Sequence, residues 1–131
     1  MKPHSTQHPF TLGSFELEEI IPRLDNFETA VAIVDVNGKV VRANGLWTRR
    51  GGTGLCSEVG NDLIGACCRA AGKGCNAGFK LCEELRAVLE EQTESCDWLP
   101  ATGERIRIAR LVSGSGTYAL VAFGERLAEA A

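Results

Sequence analysis

The sequence predicts a single α+β domain: a five-stranded antiparallel sheet with its helices inserted as one block between strands two and three, preceded by an N-terminal amphipathic helix. Three observations predict it. Two β-branched runs, Ala30–Val34 and Val40–Ala43, flank Asp35-Val36-Asn37-Gly38 and read as a hairpin. Residues 45–92 then show helical periodicity and capping signals. Short apolar runs at 96–99, 105–112 and 117–123 close the domain, the last two joined by Ser113-Gly114-Ser115-Gly116.

Residues 1–13 read as a tail, in which Pro3 and Pro9 prevent a helix that would align His4 with His8 as metal ligands. Over 14–28, Phe15, Leu17, Ile20, Ile21 and Leu24 form a helical stripe, with Ser14 as N-cap and Glu16, Glu18 and Glu19 suited to the positive helix end. Pro22 lacks a backbone N–H, so the helix kinks or ends near Ile21. Its apolar face must cover either the domain's own sheet or the same helix of a second copy.

The domain proper spans 29–124. In its hairpin, Asn37-Gly38 supplies the positive-φ residues of a primed turn and Asp35 caps that turn. Asn44 caps a short helix at 45–50. Gly51-Gly52-Thr53-Gly54 is a loop without the Lys-Ser/Thr ending that a phosphate cradle needs. Asn61 or Asp62 opens a helix from Leu63 to Ala71, ended by Gly72-Lys73-Gly74. A longer helix at 77–92 carries Phe79, Leu81, Cys82, Leu85, Val88 and Leu89 on one broad face, with Lys80–Glu84 and Arg86–Glu90 on the wet side. Pro100 ends the strand Cys96–Leu99. Alternation in Arg105–Val112 turns Ile106 and Ile108 inward, and Thr117–Phe123 is an apolar strand. Residues 125–131 form a short C-terminal tail.

At 131 residues, 44% hydrophobic and 24% charged, the chain has room for one core. A net charge of −3 gives no nucleic-acid footprint, and Arg49-Arg50 and Arg105, Arg107 and Arg110 read as solvated surface. No secretory signal and no membrane-spanning apolar run is visible, so six cysteines point to free thiols in a reducing cytoplasm.

Taken together, Ala32-Ile33-Val34-Asp35-Val36-Asn37-Gly38-Lys39-Val40-Val41-Arg42-Ala43-Asn44, then Trp47, Val59-Gly60-Asn61-Asp62-Leu63, Cys68-Arg69-Ala70-Ala71 and Gly78 through Leu89, followed by three strands, resemble a PAS sensor domain. The match runs over about residues 29–123 and looks most like a subgroup found in bacterial histidine kinases and cyclic-di-nucleotide signalling proteins. The resemblance implies a curved sheet closed on one face by helices, with a space between that holds a ligand or is filled by side chains. It places Trp47, Leu63, Cys67, Cys68, Phe79, Cys82, Trp98, Ile108 and Tyr118 as ligand-pocket candidates. It also implies a homodimer through the N-terminal helix, using Phe15, Leu17, Ile20, Ile21 and Leu24. Where many such domains end in Asp-Ile/Val-Thr, this one reads Phe123-Gly124-Glu125-Arg126-Leu127, which predicts an output that passes to another molecule, such as a signalling protein, or a plain dimeric adaptor.

Cofactor options narrow on the same residues. Gly60-Asn61-Asp62-Leu63 lacks the thiol that a flavin–cysteine photoreceptor of this kind uses, which leaves only non-covalent flavin open. Both histidines lie outside the matched region, against haem. Cys56, Cys67, Cys68, Cys75, Cys82 and Cys96 contain no Cys-x-x-Cys, a departure from cluster-binding relatives; an iron–sulfur cluster stays an alternative to no cofactor at all. Cys82 reads as core, while Cys67, Cys68 and Cys75, near Arg69 and Lys73, are the redox candidates. Trp47 and Trp98 read as core packing or pocket wall. No histidine in the domain is available as a base, and Glu83-Glu84 and Glu90-Glu91 lie on a wet helix face, so the chain reads as a non-enzyme. The expected function is sensory or regulatory, with no nucleic-acid or membrane partner. A cysteine-based redox or iron–sulfur sensor is the alternative, and a dimerisation adaptor a further one.

Overall fold

The structure is a computed structural model that describes residues 15–50, 57–99 and 105–124. The two tails, the Ser14 cap, the Gly51–Gly54 loop, Cys56 and Pro100 lie outside the described residues. In chain order the elements are β1 (Phe15–Glu16), α1 (Leu17–Ile20), a 3-10 segment (Ile21–Asn26), β2 (Ala30–Val34), β3 (Val40–Ala43), α2 (Gly45–Arg49), α3 (Leu63–Gly72), α4 (Asn76–Leu89), β4 (Ser95–Trp98), β5 (Ile106–Ser113) and β6 (Gly116–Phe123).

Strands β2 to β6 form the predicted five-stranded antiparallel sheet, with α2–α4 between its second and third members. The path across it is β1-β5-β6-β2-β3. Two short strands share the free edge of β5. There β4 pairs antiparallel with Ile106–Ala109, and β1 pairs parallel with Leu111 and Val112.

Side-chain alternation divides the sheet into two buried faces. On the inner face Ala32, Val34, Ile106, Ile108, Val121 and Phe123 pack against Trp47, Leu63, Cys67, Leu81, Leu85 and Val88. On the outer face Val31, Ile33, Leu111, Leu120 and Ala122 are covered by the N-terminal segment.

Of the predicted helical stretch 14–28 the segment is α-helical over Leu17–Ile20, ending near Ile21 as Pro22 led the sequence to predict. Its α-helix stops after Ile20 and a 3-10 segment follows, because Pro22 stands at the start of the segment and cannot donate a backbone bond. Leu17, Ile20 and Leu24 are buried against this protein's own sheet, joined by Phe27, and Ile21 is partly buried there. Leu17, Ile20 and Leu24 of the stripe therefore cover the sheet within one chain.

The hairpin also differs from a two-residue primed turn. Gly38 N–H donates to Asp35 O and Asp35 N–H to Lys39 O, both at 2.9 Å, which makes a longer loop. Gly38 has φ +87°, whereas Asn37 keeps an ordinary negative φ. Asp35 Oδ1 caps the loop by accepting from Asn37 N–H at 2.9 Å and Lys39 N–H at 3.0 Å.

Asn44 ties the layers together. Its side-chain oxygen accepts from Trp47 N–H at 3.0 Å, capping α2, and from Val31 N–H at 3.1 Å. Its Nδ2 donates to Leu24 O at 3.1 Å and Thr29 O at 2.9 Å. One buried amide thus joins the N-terminal segment, β2 and α2, with its bonding capacity filled.

Thr29 is the counterexample. Its side chain is buried, and its Oγ1 has no hydrogen-bond partner among the described residues. Thr29→Val removes that hydroxyl at nearly constant shape, so it is expected to raise stability by about 1 kcal/mol in urea unfolding. A loss of stability would overturn this reading of the site.

Candidate functional site

The helical layer gathers the chemistry-bearing side chains. Asp62 Oδ1 caps α3 through Gly65 N–H at 2.9 Å. The short connection turns at Gly74, φ +93°, and Cys75 Sγ then caps α4 through Gly78 N–H at 3.3 Å. At Gly78 the two helices approach closely. A Cβ there would lie 3.0 Å from both Ala70 Cβ and the Cys67 carbonyl oxygen, and a backbone oxygen cannot swing aside.

One turn beyond Gly78, Cys82 reaches across to α3. Its Sγ lies 3.1 Å from Cys68 Sγ. Arg86, a further turn along α4, donates from Nη2 to Cys68 Sγ at 3.8 Å. Beside the pair runs an open groove of about 490 Å³, lined by Cys68, Ala71, Phe79, Cys82, Glu83 and Arg86. Phe79 is 57% exposed there, the largest apolar side chain left in water on α4. A second groove of about 400 Å³ lies between the β2–β3 loop and the end of α4, and Arg86 borders it too.

The predicted pocket residues fall into three places. Trp47, Leu63, Cys67 and Ile108 are sealed into the inner core. Trp47 stacks on Phe123 at 5.2 Å and donates from Nε1 to Ser57 O at 2.8 Å. Trp98 packs on the rim of that core with the Lys80 ammonium 5.4 Å above its ring. Cys68, Phe79 and Cys82 line the groove on the far side of the helices. Tyr118 belongs to neither place: the strand period that turns Ala119 and Val121 inward turns Tyr118 outward, against the N-terminal segment.

The redox candidates separate as well. Burial, reinforced by the neighbouring Cys82, Cys68 and Cys75, pushes the Cys67 thiol up to about 12. Cys75 holds its helix cap. The thiol that meets Cys68 is Cys82, placed in the core by its position on the apolar stripe of α4. Burial and then its bond with Cys68 raise Cys82 to about 11, while Arg86 pulls the other way. Burial and the Glu84 carboxylate raise Cys96 to about 11. Among the described residues no group of three His, Cys, Asp or Glu side chains could hold a metal ion. No described helix is long and apolar enough to cross a membrane.

These thiols give a stability prediction with a definite sign. Cys67 binds its proton more tightly in the folded protein than in the unfolded chain, whose thiols ionise near 9.0. Its contribution is complete below pH 9 and is lost as pH rises toward 12. Urea unfolding from pH 8 to 11 should therefore show stability falling with pH, by up to about 1.4 kcal/mol per unit for each such thiol. Cys67→Ala should be less stable at pH 8 yet show a shallower fall. Parallel pH curves for the two proteins would refute the assignment.

No family model matches the chain, and no curated protein does. Solved structures do. A sensory box sensor histidine kinase from Vibrio cholerae aligns over 82% of this chain and 87% of its own, with TM-score 0.50 at 16% identity. The PAS domain of an HTR-like protein from Haloarcula marismortui aligns over 85% and 93%, with TM-score 0.46 at 13% identity. At such identity what is shared is the fold: an antiparallel sheet closed on one face by an inserted helical block, which is the fold of a PAS domain.

Proposed function

We propose that this chain is a sensory or regulatory module of signal transduction that acts by binding, without a catalytic step of its own. Its fold supports this, being shared with a protein described as a sensor histidine kinase. The observation that carries the reading is the position of open apolar surface. Trp47, Leu63, Leu81, Leu85, Val121 and Phe123 fill the inner face, while the groove of about 490 Å³ opens outward between α3 and α4 with Phe79 exposed on its wall. Recognition of a small ligand or a signalling partner belongs at that groove.

Native mass spectrometry and hydrogen exchange on the chain purified from its own cells test this. A non-covalent adduct, or a partner footprint, that protects α3 and α4 and is lost in Phe79→Asp supports the reading. Ligand or partner protection confined to other elements, and unaffected by Phe79→Asp, defeats it. A side-chain-filled inner face also favours a second reading, an adaptor that holds two proteins together. Sedimentation across a concentration series would show the homodimer that this adaptor reading requires.

A further inference from the structure

We propose that Cys68 and Cys82 form a reversible intramolecular disulfide by exchange with a low-molecular-weight disulfide, which locks α3 to α4 along the groove. This rests on the geometry of the two thiols and holds whether or not the groove also binds a signalling partner.

The sulfurs stand 3.1 Å apart, and a disulfide needs about 2.0 Å, so closure takes only ~1 Å of movement. The approach is built into the helix crossing. Gly78 lets the backbones close at Cys67 and Ala70, and Cys82 follows one turn later on the same face. The two thiols also differ in access. Cys68 is exposed and borders the groove, which is large enough to admit a small disulfide, while Cys82 is 8% exposed. Arg86 places a guanidinium beside Cys68 Sγ, where the exchange develops negative charge on sulfur.

The roles follow from access. The Cys68 thiolate attacks one sulfur of the reagent RSSR, forming a mixed disulfide and releasing RS⁻. Cys82 gives up its proton and attacks Cys68 Sγ, breaking the mixed disulfide and releasing the second RS⁻. The protein loses two thiol protons and two electrons, and the reagent leaves as two RSH. Excess thiol reverses both steps. Cys67 is enclosed and its thiol sits in the core, and Cys75 is held at its cap, so neither competes.

Glutathione disulfide and glutathione, mixed in graded ratios with the full chain, provide the test. Free thiols are then blocked with maleimide and peptides mapped by mass. The expected product is a Cys68–Cys82 linked peptide within one chain, two hydrogens lighter than the reduced pair, at least about tenfold above any glutathione adduct on Cys68 in the wild-type chain and lost on adding excess glutathione. Cys82→Ala should trap glutathione on Cys68, and Cys68→Ala, at an exposed position, should leave Cys82 unmodified. The proposal is overturned if the wild-type chain holds glutathione on Cys68 without closing, links Cys68 to Cys56, Cys67 or Cys75, crosslinks between chains instead, or does not react. It is also overturned if Cys82 takes up glutathione in Cys68→Ala while circular dichroism shows that variant folded.

Discussion

Replacing Asn44 by alanine is expected to destabilise the protein by about 3–5 kcal/mol, which for a domain of this size lowers the melting temperature by roughly 10–20 °C. The side chain makes four hydrogen bonds from a site 2% exposed. Alanine would strand two backbone N–H donors, at Val31 and Trp47, and take a donor from the carbonyls of Thr29 and Leu24, of which Leu24 O keeps its bond from Phe27 N–H at 3.3 Å. A buried group left without a partner costs more than the net worth of the bond it lost. Asn44→Asp separates this account from a simple capping role. Aspartate caps helices as well as asparagine does, but here it would turn an oxygen toward Leu24 O and Thr29 O. Asn44→Asp should therefore be at least as unstable as Asn44→Ala. A thermal melt in which Asn44→Asp behaves like wild type would show that only the α2 cap matters.

Trp47→Ala should cost about 3–5 kcal/mol, the range for removing a large aromatic from a packed interior. The indole is fully buried, stacked on Phe123, and tied through Nε1 to Ser57 O. Trp47→Phe keeps an aromatic face against Phe123 and gives up the Ser57 bond, so it should fall well short of the alanine loss. A double-mutant cycle with Phe123→Leu should yield a coupling of about 0.5–1.5 kcal/mol, the value for a stacked pair beyond its area. Additive losses would show that each ring packs independently. Were Trp47 instead the wall of an empty ligand space, truncation would be far milder.

Local chemistry explains what could be read from the chain. The bounds of β2 and β3 matched because β-branched runs meet polar turn residues on both sides. Asp35, Asn44 and Asp62 cap through side chains that need only their immediate neighbours. The failures needed distant partners. Over 14–28 the local signal, Pro22, marks the helix end near Ile21, but the apolar stripe does not show that it covers a sheet face made of Leu111 and Leu120. Two residues of β1 carry no periodicity of their own, and their partner stands near the other end of the chain.

The thiols follow the same rule. Closeness in sequence and the neighbouring Arg69 and Lys73 point to Cys67, Cys68 and Cys75, whereas the pair that meets is set by the helix crossing. A signal was present: Gly78 and Cys82, small residues four apart, mark a face where a second helix approaches. The cap at Cys75 was hidden because sulfur is not among the usual capping atoms.

The sheet order also constrains how the chain acquires its structure. The first-made strands find their partners last: β1 waits for β5, and β2 is a central strand only once β6 lies beside it. Until both exist, the apolar faces of Val31, Ile33, Leu17 and Ile20 have nothing long-range to close on. On a ribosome making the chain from its N-terminus, neither layer of the sheet can be completed before Phe123 emerges. Such pairings close large loops before they are rewarded, which slows folding relative to a helical protein of equal length. The hairpin of β2 and β3 and the α3–α4 pair are the parts whose contacts are local, and they are the segments able to form early.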